Sequence, residues 1–183
     1  LCPYTTLFRS SDTLPYEHMS PGNQVISQRL RVLETLAARQ NASEPGGPLV
    51  IVAPVKALMQ PTLTPAELAE ATLQLALGAV VRPERHLLDR GYRAAPTVEE
   101  PGELNRRGDL LDIWPPAQEL PLRIGFFGDE LESIRCFDPG TQRSEARLER
   151  VAIGPPHELP LWRRELAVAR IAALEVSGLR HEA

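Results

Sequence analysis

The sequence predicts an α/β fold: a piece with the rhythm of a parallel-sheet domain, joined to a mostly antiparallel sheet with short helices. Three observations carry that prediction. Between Ser20 and Ala53 an amphipathic helical pattern, a loop rich in Gly, Pro, Ser and Asn, and an unbroken apolar run follow in order. After Pro54 capping and breaking residues recur every few positions, and proline reaches 18 of 183 residues overall, so the elements must be short. From Glu103 onward, short strand-like segments are separated by hairpin and turn signals.

Residues 1–11 stand apart from the rest. Tyr4-Thr5-Thr6-Leu7-Phe8-Arg9-Ser10 is what one reading frame of a widely used sequencing-adapter oligonucleotide encodes. This stretch is therefore expected to be a non-native leader and is set aside from the fold. Ser20 can cap a helix and Pro21 is tolerated at its first position. Ile26, Leu30, Leu33 and Ala37 recur at helical spacing, which predicts a helix running to about Arg39. Arg29, Arg31, Glu34 and Arg39 are expected on its remaining surface. After a loop over 41–48, Leu49-Val50-Ile51-Val52-Ala53 predicts a strand buried on both faces of a parallel sheet. Helix, loop and buried strand in succession is α/β organisation.

Thr64-Pro65-Ala66-Glu67 is a capping box with proline at the first helical position. The segment 68–77 reads as a short helix and then a strand, because 72–77 alternates strictly and Gly78 ends it. A helix over 83–90 stops at Gly91, a residue that tolerates positive φ. Strands are expected at 110–114, 122–127, 131–137, 143–147 and 151–153. Gly128-Asp129-Glu130 and Asp138-Pro139-Gly140-Thr141 supply turns between them. A last helix is expected over 161–174.

The chemistry that is missing narrows the function. Twenty Lys and Arg against 24 Asp and Glu leave a net charge of −4, so no blanket electrostatic grip on nucleic acid is expected. No apolar run approaches the roughly 18 residues a membrane helix needs, and no membrane partner is expected. The two cysteines, Cys2 and Cys136, make neither a metal spacing nor a disulfide framework, which points to a reducing cytoplasm. Lys56 is the only lysine and follows Ala53-Pro54-Val55 rather than a glycine-rich loop, so no nucleotide cofactor is expected in this segment. His18, His86, His157 and His181 lack metal-ligand spacing. Asp129, Glu130 and Glu132 read as a solvated hairpin, with no nucleophile beside them. No catalytic residue, cofactor site or metal site is predicted.

The informative place is 122–127. On an extended strand Leu122, Ile124 and Phe126 share one face, while Arg123, Gly125 and Phe127 share the other. Arg123 and Phe127 then stand about 13 Å apart on one face, and Gly125 between them leaves room for another backbone. Arginine and large aromatics are enriched at interface hot spots. From the pattern alone, Phe127 could equally pack under a loop, with Arg123 a solvated charge. If both project outward, they can be truncated without opening the core. Arg106-Arg107-Gly108-Asp109 reads as a solvated turn or a binding patch, and its position before the strand at 110 would bring it near Arg123.

Several stretches together carry a family resemblance. They are Leu14-Pro15-Tyr16-Glu17, the helix at 26–30, Val52-Ala53-Pro54-Val55 with Ala57-Leu58-Met59-Gln60, and above all Arg107-Gly108-Asp109, Phe126-Phe127-Gly128-Asp129-Glu130 and Phe137-Asp138-Pro139. From about residue 12 onward the chain resembles the N-terminal UvrB-homology module of the bacterial transcription-repair coupling factors, the Mfd family. UvrB is the next closest. The resemblance implies the end of a first helicase-like segment over 12–54, an inserted UvrA-binding domain over 55–149, and a return to the helicase-like domain over 150–183. It implies that Arg107, Arg123 and Phe127 contact UvrA. The parent would be an ATP- and Mg-dependent translocase on double-stranded DNA that displaces stalled RNA polymerase, with its motor elsewhere in the chain. This segment would then be a cytoplasmic docking module with no enzymatic activity of its own, recruiting UvrA in nucleotide excision repair. The alternative implied is a fragment of the UvrB helicase-like subunit of the excision nuclease.

Overall fold

Tight glycine turns and alternating apolar residues build most of this chain. The computed structural model describes residues 5–10, 23–40, 47–165 and 168–169. In order the elements are β1 (Thr5–Leu7), α1 (Asn23–Gln40), β2 (Val50–Val52), α2 (Val55–Met59), α3 (Pro65–Ala71), β3 (Leu73–Ala76), α4 (Pro83–Asp89) and β4 (Arg93–Ala94). There follow β5 (Glu103–Arg107), β6 (Leu110–Ile113), β7 (Leu122–Phe127), β8 (Glu130–Phe137), β9 (Ser144–Leu148), β10 (Arg150–Ile153) and a 3-10 turn at Leu161–Arg163. The fold is mixed α/β, with a sheet that is mostly antiparallel, as the sequence predicts. No helix among the described residues is long and apolar enough to cross a membrane.

The main sheet has six strands in the order β4-β5-β6-β7-β8-β9, antiparallel except for the β4–β5 pair. Gly108 (φ 58) and Gly128 (φ 63) each open a two-residue hairpin turn. That conformation costs a glycine nothing sterically. The strand β5 takes in the first half of Arg106-Arg107-Gly108-Asp109, which reads as a turn: pairing with β6 in the register Arg107↔Leu110 makes Arg106 and Arg107 extended and leaves the turn to Gly108-Asp109. The predicted strand edges elsewhere shift by a residue or so.

One face of this sheet is the core. Leu104, Leu111, Ile113, Leu122, Ile124, Phe126, Leu131 and Ile134 are all buried on it. Each contributes roughly 1.5–3 kcal/mol by leaving water. The ribbon of β3 and β10, paired antiparallel from Leu73↔Ile153 to Ala76↔Arg150, packs Leu75, Val151 and Ile153 into the same cluster. Leu87 of α4 and Tyr92 complete it, and the Tyr92 hydroxyl donates to the Gly154 carbonyl at 2.7 Å.

The capping box forms as read. Thr64 Oγ accepts from the Glu67 backbone N–H at 3.2 Å, and Glu67 Oε2 accepts from the Thr64 N–H at 2.9 Å. α4 carries proline in its first turn and gives way to Gly91 at φ 102. The short helix α2 was not anticipated.

Three expectations need correction. Arg29 is not on the surface of α1 but 1% exposed. Its Nε donates to Glu158 at 2.7 Å, and its guanidinium stacks 4.1 Å from the Phe8 ring. Glu34 is also largely covered, because the loop at Gly154 closes over that side of the helix. The strand at 49–53 does pair parallel, but Val50 and Val52 are half exposed, since its one described neighbour is β1. Thr5–Leu7 lie in register with Val50–Val52, and Phe8 is buried against Val32 and Ala57. The expected Ser20 cap lies outside the described residues, as do most of the loop over 41–48 and half of the helix over 161–174.

Candidate docking site

The face of the six-stranded sheet opposite the core is built by alternation. Asn105 of β5, Asp112 of β6, Arg123 of β7, Arg135 of β8 and Arg147 of β9 stand in one cross-strand row. Phe127 lies at the end of β7, opposite Glu130. A bulge between Gly125 and Phe126 re-aims the end of the strand without exchanging its faces. Phe126 stays buried and Phe127 is 80% exposed. The face assignment for Leu122, Ile124, Phe126 and Phe127 therefore matches the strand pattern.

Arg123 is neither solvated nor free. Its Nε and Nη2 donate to Asp112 Oδ1 and Oδ2 at 2.7 and 2.8 Å. Nη1 donates to the Gln142 carbonyl at 3.1 Å and Nη2 to Gln142 Oε1 at 3.2 Å. Four of its five N–H donors are thus committed within the fold, and the guanidinium stacks 4.5 Å from the Phe137 ring. The paired bonds from Asp112 hold its pKa above the ordinary arginine value. Gln142 reaches it through a left-handed backbone (φ 60) at the end of the 138–142 turn. That turn is tied by Thr141 N–H and Oγ–H bonds to Asp138, which lower the Asp138 pKa.

Arg107 closes β5 and is exposed, with Nη2 donating to the Pro96 carbonyl. It lies two strands from Arg123 and two residues off its row, about 10 Å across the sheet and about 7 Å along it. Arg106 points to the opposite face, 4.6 Å over the Phe126 ring. The turn read at 106–109 is thus a strand end followed by Gly108-Asp109. The room expected above Gly125 is filled: a Cβ there would meet Ser133 Oγ at 2.6 Å and Leu110 Cδ2 at 3.7 Å.

This segment coincides with a known family. The UvrB interaction domain model matches residues 73–159. Those residues belong to the UvrB interaction domain family. Most of the chain is similar to transcription-repair-coupling factors. It is 37% identical to that of Haemophilus influenzae over 84% of this chain, 38% to that of Escherichia coli over 81%, and 33% to that of Myxococcus xanthus over 97%. It spans 13% or 14% of the length of these relatives.

Within the UvrB interaction domain, the sequence singles out Arg107, Arg123 and Phe127 as candidates but not the partners that fix Arg123. Asp112 carried a legible signal, because alternation with Leu111 and Ile113 puts it on the face of Arg123. Gln142 carried none, since its contact depends on a loop conformation. At the hairpin tip, Arg82 pairs with Asp129 through bonds of 2.6 and 2.7 Å, and this pairing lowers the Asp129 pKa. Among the described residues no cluster of side chains could hold a metal ion.

Proposed function

We propose that this chain is a docking module of a transcription-repair coupling factor, and that its sheet face around Phe127 and the strand ends beside it recruits UvrA to stalled transcription complexes. The observation that carries the reading is the pairing of a buried Phe126 with an adjacent, 80% exposed Phe127 at a rigid hairpin end in a UvrB interaction domain. An aromatic ring held in water by backbone pairing costs little conformational entropy on binding. Arg107 supplies an exposed guanidinium on the same face. Arg123 acts chiefly by holding that face flat, with one N–H left for the partner. The coupling-factor reading is preferred to a UvrB fragment because the relatives named above are coupling factors.

In this reading the parent protein is an ATP- and Mg-dependent translocase acting on duplex DNA and RNA polymerase, and the present segment hydrolyses nothing. It works in the cytoplasm. The test is a binding isotherm of the chain with purified UvrA. Phe127→Ala should weaken binding by about 1–4 kcal/mol with an unchanged melt. Unaltered affinity would place the UvrA surface elsewhere.

A further inference from the structure

The tip of the β7–β8 hairpin is widened by the segment between the strand expected to end at Gly78 and the helix at 83–90. Gly78 N–H donates to the Leu131 carbonyl at 2.8 Å, Leu131 N–H to the Ala79 carbonyl at 2.9 Å, and Val81 N–H to the Asp129 carbonyl at 2.9 Å. Residues 78–81 thereby run along the edge of the hairpin tip, with Val80 joined to Glu130 by an isolated antiparallel bridge. Glu130 is in turn paired with Phe127. Paired residues project to the same side of a sheet, and burial agrees. Val81 packs toward the core and Leu131 is buried, whereas Val80 is 76% exposed and Phe127 80%.

Phe127, Glu130 and Val80 thus form one row, with the two apolar groups about 10 Å apart and a carboxylate between them. Single exposed apolar side chains need no explanation. Here two are held in register by backbone hydrogen bonds. Of the neighbouring charges, Asp129 is paired with Arg82, and Arg106 lies on the opposite face over the Phe126 ring, donating to the Gly108 carbonyl. The Glu130 side chain has no ion pair or hydrogen bond among the described residues.

We propose that Val80 and Glu130 complete the docking surface begun by Phe127. The occupant is a UvrA surface with two apolar pockets about 10 Å apart and a lysine or arginine between them. This rests on the reading that the domain docks UvrA. Phe127 and Val80 fill the pockets, and Glu130 meets the cation once water is displaced around it, where a charge-assisted hydrogen bond is strongest.

The test measures binding of purified UvrA to the 183-residue chain by biolayer interferometry. Phe127→Ala, Val80→Ala, Val80→Thr, Glu130→Gln and Glu130→Arg are compared, each with a thermal melt. Val80→Ala and Val80→Thr should each weaken binding by about five- to tenfold, the threonine keeping the strand shape while losing apolar area. Glu130→Arg should weaken it by about tenfold or more, and Glu130→Gln should reduce its salt dependence. Binding within about twofold of wild type for the Val80 and Glu130 variants, with Phe127→Ala impaired, overturns this inference and leaves UvrA docking standing. If Phe127→Ala binds as wild type does, UvrA docking at this face fails and the inference falls with it.

Discussion

Arg123 on β7 grips Asp112 on β6 across one register position, through parallel bonds of 2.7 and 2.8 Å. The pair is mostly shielded from water, with side chains 23% and 11% exposed. This overturns the expectation that Arg123 can be truncated without cost. Arg123→Ala should destabilise the fold by about 1–3 kcal/mol, because Asp112 keeps a charge without its partner. Asp112→Asn in that background should recover part of the loss. Urea unfolding of the single and double variants checks this. Additive effects would show that the two side chains do not act as a pair.

Adjacent phenylalanines should behave as opposites. Phe126→Ala should cost about 3–5 kcal/mol, since it empties a core position. Phe127→Ala should leave stability within about 0.5 kcal/mol, as expected of an exposed site. Thermal melts of the two variants decide it. An unfolded Phe127→Ala with a silent Phe126→Ala would invert the faces of β7.

Glu34 on α1 should make stability fall with pH. Burial pushes its pKa up from 4.5 to about 7, against the opposing charge of Arg31. The folded state therefore binds the proton more tightly than the unfolded chain. The associated stability is complete below about pH 4.5 and is lost as pH rises through about 7. Glu34→Gln should remove this dependence and be the more stable form above pH 7, by up to about 3 kcal/mol. Melting temperature followed from pH 4 to 9 tests it, and parallel profiles for both proteins would refute it.

The Thr64 cap should matter to α3 alone. Thr64→Ala removes the acceptor for the Glu67 N–H and should cost about 1 kcal/mol. Thr64→Ser should restore most of it. Equal melts for all three proteins would mean that tertiary packing of Leu68 and Ala71 already fixes the helix.

The sequence by itself determined the local grammar of this protein. Capping residues placed α3, glycines placed the hairpin turns, and period-two alternation decided which side chains of β7 face the core. These are signals within a few residues, set by backbone geometry and the burial of apolar area. The same alternation could have paired Asp112 with Arg123, since both stand outward on their strands. Only the tertiary structure decided what the non-local contacts do. Arg29 is polar in sequence yet buried, because Glu158, distant in the chain, compensates its charge. Val80 lies between the strand expected to end at Gly78 and the helix at 83–90, but hydrogen bonds of Ala79 and Val81 with Leu131 and Asp129 hold it beside the hairpin. A side chain's partner across such distances depends on how the chain closes, and no residue pattern of short period encodes that closure.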